Sequence, residues 1–140
     1  MTIRILVVDD DPGVRKALSR VLQGESWQVQ TAAGGREALA VLQEGSMDIV
    51  ISDQRMPGMS GLEFLTAVSR RYPDTMRILL TGHGDANLVL QAIADGAIYR
   101  FLTKPWDNDE LLTVIRHARQ AQKKKEGSDI VMISTRREKR

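Results

Sequence analysis

Side chains that could do chemistry recur in this sequence directly after short apolar segments. Three consecutive aspartates, residues 9–11, follow the first segment, and Asp53 follows another. Thr81 and Lys104 hold the same position after two further apolar segments. The set offers clustered carboxylates, one hydroxyl donor and one ammonium, which together could hold a cation and an anion side by side.

Clustered carboxylates raise one another's pKa unless a cation neutralises them. Oxygen donors without sulfur or imidazole suit a hard ion, Mg²⁺ or Mn²⁺, with water and phosphate at its open positions. Asp53 is then a candidate covalent nucleophile, because carboxylates form aspartyl phosphates. Lys104 and Thr81 suit phosphoryl oxygens, so the residues favour metal-assisted phosphoryl transfer.

Each of these positions also has an ordinary structural interpretation. An acidic triplet after a strand is often only a solvated turn and a helix N-cap; we favour this for Asp11 and weigh the two interpretations evenly for Asp9 and Asp10. A threonine before a glycine, as at Thr81, is more typical of a turn, and Lys104 alone is a weak signal. The functional interpretation depends on four segment ends that carry complementary groups together.

Composition limits the alternatives. The 140 residues fit one domain, and the absence of cysteine excludes disulfides, thiolate catalysis and cysteine-based metal sites. The two histidines are too far apart to indicate a structural zinc site. The first apolar run, residues 3–8, is too short for a signal sequence, and no run reaches membrane-spanning length. We therefore expect a cytoplasmic protein without membrane association.

The charge is unevenly distributed along the chain. Residues 123–140 contain seven lysines or arginines and three acids, so this tail carries +4 and residues 1–122 carry −2 of the total +2. Apolar periodicity also lapses after Gln122. We expect a folded domain over 1–122 and a disordered basic tail or linker over 123–140.

Five apolar segments of strand length alternate with five segments of helical spacing. The predicted strands are 3–8, 27–31, 48–52, 76–80 and about 99–103. Helical periodicity begins at Val14, Ala86 and Leu111, and weaker patterns predict helices over 35–44 and 61–71. Turn and capping signals agree; they are Asp11 before Pro12, Ser60 with Glu63, Asp107 with Glu110, and the glycines 24, 45 and 96.

Strands separated by helices must run parallel, and right-handed crossovers place helices on both faces of the sheet. The sequence therefore predicts an α/β, doubly wound (βα)₅ fold, for which the common strand order is 2-1-3-4-5. In that order strands 1, 3, 4 and 5 are neighbours, and their polar ends meet at one edge of the sheet.

The ordered motifs resemble the receiver domains of response regulators, which are CheY-like, over residues 3 to about 120. They are ILVVDDD at 5–11, SDQRMPGMSG at 52–61, LTG at 80–82 and KP at 104–105. The resemblance implies that Asp53 accepts the phosphoryl group and that Thr81 and Lys104 hold its oxygens. It also implies a cis bond between Lys104 and Pro105.

The metal would be bound by Asp9, Asp10, Asp53 and the backbone carbonyl of Arg55, again by resemblance. A histidine kinase or phosphotransfer protein would supply the phosphoryl group, and the domain would act as a regulatory switch and not as a turnover enzyme. The surface of helix 4, strand 5 and helix 5 would then bind an output domain or a second receiver. Nucleic acid is not expected to be bound by this domain itself.

Family members have a switch aromatic three residues before the lysine, where this chain has Phe101, with Tyr99 as the alternative. The motifs DQRMPG at 53–58 and YRFLTKPW at 99–106 resemble a subset whose outputs include hydrogenase-control transcription activators and HD-type cyclic-dinucleotide phosphodiesterases. Arg55 and His83 lie two residues past Asp53 and Thr81, where side chains flank the phosphoryl group. We predict that Arg55 shields the acyl phosphate from water and that His83 has a modest influence; exposed surface residues are the alternative for both.

Three other functions fit parts of the sequence less well. A haloacid-dehalogenase-type phosphatase also uses an aspartate nucleophile and Mg²⁺, but it needs Asp-x-Asp-x-Thr, and residues 9–13 lack the threonine. A nucleic-acid-binding module would use the basic tail, which has no interleaved aromatic residue. A flavodoxin-like nucleotide binder would need a glycine-rich loop after strand 1.

Overall fold

A computed structural model describes residues 2–82 and 84–127 of the chain, and within them strands and helices alternate as predicted. The strands are β1 (Arg4–Val8), β2 (Gln28–Ala32), β3 (Ile49–Asp53), β4 (Met76–Thr81) and β5 (Arg100–Thr103). The helices are α1 (Pro12–Gln23), α2 (Gly35–Glu44), α3 (Gly61–Arg71), α4 (Ala86–Ala94) and α5 (Asn108–Gly127).

The strands form one parallel sheet in the order β2-β1-β3-β4-β5, which confirms the predicted topology. Several strand bounds differ from the prediction by one residue. Asp53 and Thr81 are the last residues of β3 and β4, and not the first residues after them. The backbone at both positions is therefore held by the hydrogen-bond ladder of the sheet itself.

Two hydrophobic layers cover the sheet, because alternate strand residues point to opposite faces. On β1, Leu6 and Val8 pack with helices α2, α3 and α4, whereas Ile5 and Val7 pack with α1 and α5. The central strands β1, β3 and β4 are buried almost throughout, as their continuous apolar character indicates, whereas β2 and β5 at the two edges are largely exposed.

Most of the predicted helix signals are found at helix ends. Asp11 caps α1 by accepting a hydrogen bond from Gly13 N, and Ser60 with Glu63 forms a capping box at α3. Gly96 lies just past α4 at a φ of 80°, in the left-handed region that favours glycine. The Gly96 N–H bonds to the Ile93 carbonyl there, so this glycine ends the helix as predicted.

Helix α5 continues to Gly127, five residues past the end of its apolar periodicity, so residues 123–127 are helical where a disordered tail or linker was expected. Polar contacts hold the helix in place just before this segment. Gln122 is buried and donates to the backbone carbonyls of Asp48 and Asp74, while Arg119 bonds the Asp48 carboxylate at 3.0 Å. The expected disorder of residues 128–140 lies outside the described residues.

Among the described residues, no helix is long and apolar enough to cross a membrane.

Candidate functional site

Three carboxylates gather at the carboxyl edge of the sheet. Asp9 and Asp10 follow β1, Asp53 ends β3, and one oxygen atom from each lies within 4.8 Å of the others. Asp9 and Asp53 are buried and Asp10 is exposed, so the group opens to solvent on one side. The structure therefore brings together the carboxylates that the sequence predicted to meet.

Asp9 is the most buried of the three, with 1% of its surface exposed. Its Oδ1 accepts a hydrogen bond from Asp11 N at 2.9 Å, whereas its Oδ2 is buried and has no hydrogen-bond partner among the described residues. Burial raises the pKa of Asp9 above its ordinary value, and the negative charges of Asp53 and Asp10 raise it further. The hydrogen bond from Asp11 N and the charge of Lys104 lower the pKa, but they do not cancel this increase. A buried carboxylate oxygen that accepts no hydrogen bond is a ready ligand for a hard cation.

Lys104 reaches the carboxylates from the loop after β5. Its Nζ lies 2.8 Å from Asp53 Oδ1 and 3.6 Å from Asp9 Oδ2. Burial lowers the pKa of Lys104, but the hydrogen bond and charge of Asp53, with the charge of Asp9, raise it above its ordinary value. Lys104 is therefore protonated at neutral pH and presents a fixed positive charge to Asp53.

A close backbone approach positions the loop that carries Asp53. A Cβ atom at Gly61 would lie 2.2 Å from the Asp53 carbonyl oxygen, so only glycine fits there. Gln54 closes the loop, because its carbonyl accepts a hydrogen bond from Gly61 N and its Oε1 accepts one from Leu62 N. The start of α3 is thereby fixed against the end of β3.

Thr81 is buried at the end of β4, and its backbone is tied to Lys104, whose N–H donates to the Thr81 carbonyl at 2.9 Å. The Thr81 hydroxyl donates to Asp85 Oδ2 at 2.8 Å. Asp85 also lies 3.5 Å from the Arg55 guanidinium. The sequence reasoning missed Asp85, because an aspartate directly before an amphipathic segment is typical of a helix N-cap.

The two candidate switch aromatics differ in environment. Phe101 is exposed on β5 and pairs in register with Leu79, two residues before Thr81, whereas Tyr99 packs partly buried on the opposite core. Side chains of registered residues in neighbouring parallel strands share a face, so Phe101 stands on the face of Thr81. The Lys104–Pro105 bond is cis, as the resemblance implied, and His83 lies outside the described residues.

Three comparisons with known proteins agree with this geometry. The sequence profile of the response regulator receiver domain matches residues 5–116. The chain is 37% identical over 118 residues to the hydrogenase transcriptional regulatory protein HoxA of Cupriavidus necator, which covers 84% of this chain and 24% of the relative. It is 42% identical over 121 residues to the C4-dicarboxylate transport transcriptional regulatory protein DctD of Rhizobium meliloti, and this match covers 86% of this chain and 25% of the relative. The chain thus spans about a quarter of the length of these relatives.

Solved structures give the same result. The signal receiver domain of an HD domain-containing protein from Pseudomonas fluorescens superposes with a TM-score of 0.83 and 37% identity, covering 89% of this chain and 92% of that one. A response regulator receiver domain protein from Clostridium thermocellum superposes with a TM-score of 0.82 and 32% identity, covering 86% and 97%. The chain belongs to the response regulator receiver domain family, and it is a receiver domain of two-component signalling.

Proposed function

We propose that Asp53 accepts a phosphoryl group from a histidine kinase or a phosphotransfer protein. The observation that carries this proposal is the contact of 2.8 Å between Lys104 Nζ and Asp53 Oδ1, beside the buried Asp9. Because of this contact, the Lys104 ammonium lies beside Asp53 and can stabilise the negative charge of an incoming phosphoryl group. Among the three clustered carboxylates, Asp53 makes the shortest contact with that ammonium.

A divalent hard cation, Mg²⁺ or Mn²⁺, fits the acidic group. Asp9, Asp10 and Asp53 offer only oxygen, and the buried Oδ2 of Asp9 accepts no hydrogen bond from the described residues, so it is available as a ligand. The Arg55 backbone carbonyl is our fourth proposed ligand. When bound, the cation would neutralise charge on the transferring phosphoryl group.

The proposed transfer exchanges one bond at phosphorus for another. The bond between phosphorus and the donor's imidazole nitrogen breaks as a bond forms to an Asp53 carboxylate oxygen. The donor histidine, protonated at its other ring nitrogen, keeps the electron pair of the broken bond and leaves as neutral imidazole, while the metaphosphate-like group keeps its three outer oxygens. Lys104 and Thr81 then bind those oxygens, Lys104 through its charge and Thr81 through its single hydroxyl proton.

The phosphorylated domain would act on a partner through α4, β5 and α5. Apolar side chains are exposed on this surface; they are Leu88, Leu90 and Ile93 of α4 and Phe101 of β5. An output domain in the same protein or a second receiver are the two occupants that we propose. The similar proteins include two transcriptional regulatory proteins and the receiver domain of an HD domain-containing protein, which supports an output domain as one occupant.

On this proposal the domain is a regulatory switch in the cytoplasm and does not turn over an external substrate. Phosphorylation replaces the single negative charge of the Asp53 carboxylate with an acyl phosphate that carries close to two negative charges. Differential contacts of the phosphoryl group with Thr81 and Lys104 would shift the balance between two conformations.

The test is incubation with acetyl phosphate and Mg²⁺, with intact mass measured against time. We expect a gain of one phosphoryl group that maps to Asp53 and that is absent from Asp53→Asn and from samples with EDTA. Labelling at another residue would refute the assignment of Asp53. Steady turnover of a phosphomonoester would favour the phosphatase alternative.

A further inference from the structure

A second group of polar contacts lies beside the acidic cluster and includes Asp85. The Asp85 carboxylate accepts the hydrogen bond from Thr81 Oγ1 at 2.8 Å, and its other oxygen lies 3.5 Å from Arg55 Nη2. Asp85 is 8% exposed, whereas the Arg55 side chain is 76% exposed. Solvent screens the ion pair with Arg55, so the buried bond to Thr81 is the stronger of the two contacts.

Because the Thr81 hydroxyl donates its proton to Asp85, it has no second proton for another acceptor. A threonine hydroxyl has one proton to donate, and here it is directed to Asp85, with a longer contact of 3.4 Å to the Gly82 carbonyl. A phosphoryl group on Asp53 would need the same proton. Donation to Asp85 and donation to a phosphoryl oxygen therefore exclude each other.

Asp85 gives up a capping bond in this arrangement. It occupies the N-cap position of α4, but its side chain makes no capping hydrogen bond. At α1 and α3 the N-cap residues Asp11 and Ser60 do cap, with extended ψ angles of 114° and 163°, whereas Asp85 has a ψ of 12°. An aspartate at this position ordinarily satisfies the helix N-terminus, so its carboxylate is here engaged by Thr81 instead.

We propose that Asp85 is a resting-state latch, which holds the Thr81 hydroxyl until a phosphoryl group on Asp53 competes for it. The inference rests on the proposed function of Asp53. Because Asp85 begins α4, breaking the latch also frees the first turn of the helix that carries the exposed Leu88 and Leu90. The strength of the Thr81–Asp85 bond thereby sets how strongly the phosphoryl group must bind before α4 is released.

The experiment is a titration of the full chain with beryllofluoride in the presence of Mg²⁺, followed by Trp106 fluorescence. Asp85→Ala should bind roughly three- to thirtyfold more tightly than the wild type, because Thr81 no longer gives up a charge-assisted bond. Asp85→Asn, which keeps the shape but not the charge, should lie between the two. Asp95→Ala is the matched control, because Asp95 is an exposed aspartate at the other end of α4. This variant should bind beryllofluoride with the affinity of the wild type.

The double variant Thr81→Val/Asp85→Ala shows whether the gain runs through Thr81. Asp85→Ala should tighten binding in the wild-type background and should have no effect in the Thr81→Val background. Equal or weaker binding by both Asp85→Ala and Asp85→Asn would overturn the latch while leaving Asp53 as the acceptor. A wild-type signal that persists in Asp53→Asn would instead overturn the proposed function, and the latch with it.

Discussion

The ammonium of Lys104 lies 2.8 Å from Asp53 Oδ1, and the same ammonium is 3.6 Å from Asp9 Oδ2. The shorter distance is a charge-assisted hydrogen bond, whereas the longer one exceeds the hydrogen-bond range. Lys104 is thus bonded to the proposed acceptor and only electrostatically coupled to the proposed metal ligand. Its charge has opposite consequences for the two parts of the site.

Replacing Lys104 with methionine should separate these consequences. Mg²⁺ should bind about fivefold more tightly, or about 1 kcal/mol, because a positive charge next to the carboxylates is removed. Phosphorylation by acetyl phosphate should become slower, because the phosphoryl oxygens lose their cation. Isothermal titration and intact-mass kinetics measure the two effects, with the exposed Lys16→Met as control. A loss of Mg²⁺ affinity would contradict this electrostatic account.

Asp9→Asn should stabilise the metal-free protein. Burial, together with the charges of Asp53 and Asp10, raises the pKa of Asp9 above its ordinary value of 3.8. Ionised Asp9 therefore costs free energy in the folded state, so the free energy of unfolding falls as the pH rises from below 3.8 through the raised folded-state pKa. In EDTA at pH 7 the variant should gain about 1 kcal/mol by denaturant unfolding, with a flatter pH dependence.

Added Mg²⁺ should reverse the order of the two proteins. A ligand present at 100 times its Kd stabilises the folded state by about 2.7 kcal/mol, and only the wild type should respond fully. An Asn variant that is less stable than the wild type in EDTA would contradict the cost assigned to ionised Asp9, and an equal gain in stability of both proteins with Mg²⁺ would contradict its role as a metal ligand.

Gly61→Ala should destabilise the fold strongly. The new Cβ would lie 2.2 Å from the Asp53 carbonyl oxygen and 2.9 Å from the Gln54 Cα, both of them backbone atoms that cannot move aside independently. We expect a loss of about 3 kcal/mol in the free energy of unfolding. Gly34→Ala is the control, because nothing lies within 4 Å of its Cβ and its φ of −169° is open to any residue. A loss below about 1 kcal/mol at Gly61 would mean that the β3–α3 loop relaxes.

Arg55→Ala tests the predicted shielding of the acyl phosphate. The Arg55 guanidinium lies 3.5 Å from Asp85, beside the site, so truncation should open Asp53 to water. We expect phospho-Asp53 to hydrolyse roughly two- to tenfold faster, equivalent to about 0.4–1.4 kcal/mol in the barrier. Decay of the phosphorylated mass after removal of acetyl phosphate gives the rate, and the exposed Arg36→Ala is the control. An unchanged lifetime rules out shielding.

The sequence predicts the strands and helices through periodicity, and it predicts the convergence of the acidic cluster with Lys104 through the common strand order of doubly wound sheets. Asp85 could not be found this way. An aspartate before a helix signals a cap, and nothing in the one-dimensional pattern distinguishes a capping carboxylate from one bonded to Thr81. The close approach at Gly61 could not be predicted either, because it joins two backbone segments and does not affect the pattern of apolar residues.

The continuation of α5 was missed for a different reason. Apolar periodicity ends near Gln122, and the prediction weighed apolar contacts alone. Lysine and glutamate are good helix formers, so the segment after Gln122 keeps helical propensity without an apolar face. The helix is held to the sheet at this point by a buried amide, which sequence periodicity does not register.

Gln122→Ala should therefore lower the free energy of unfolding more than the same substitution of an exposed glutamine. The Gln122 amide donates to the Asp48 and Asp74 carbonyls at 3.2 Å and 2.9 Å, and its oxygen accepts from Arg119. Truncation leaves these groups without their partner in a largely buried position, so we expect a loss of about 2 kcal/mol in the free energy of unfolding. Gln120→Ala, on the exposed side of the same helix, should change it by less than about 0.5 kcal/mol. Equal losses from the two variants would show that helix propensity, and not the buried amide, holds this end of α5.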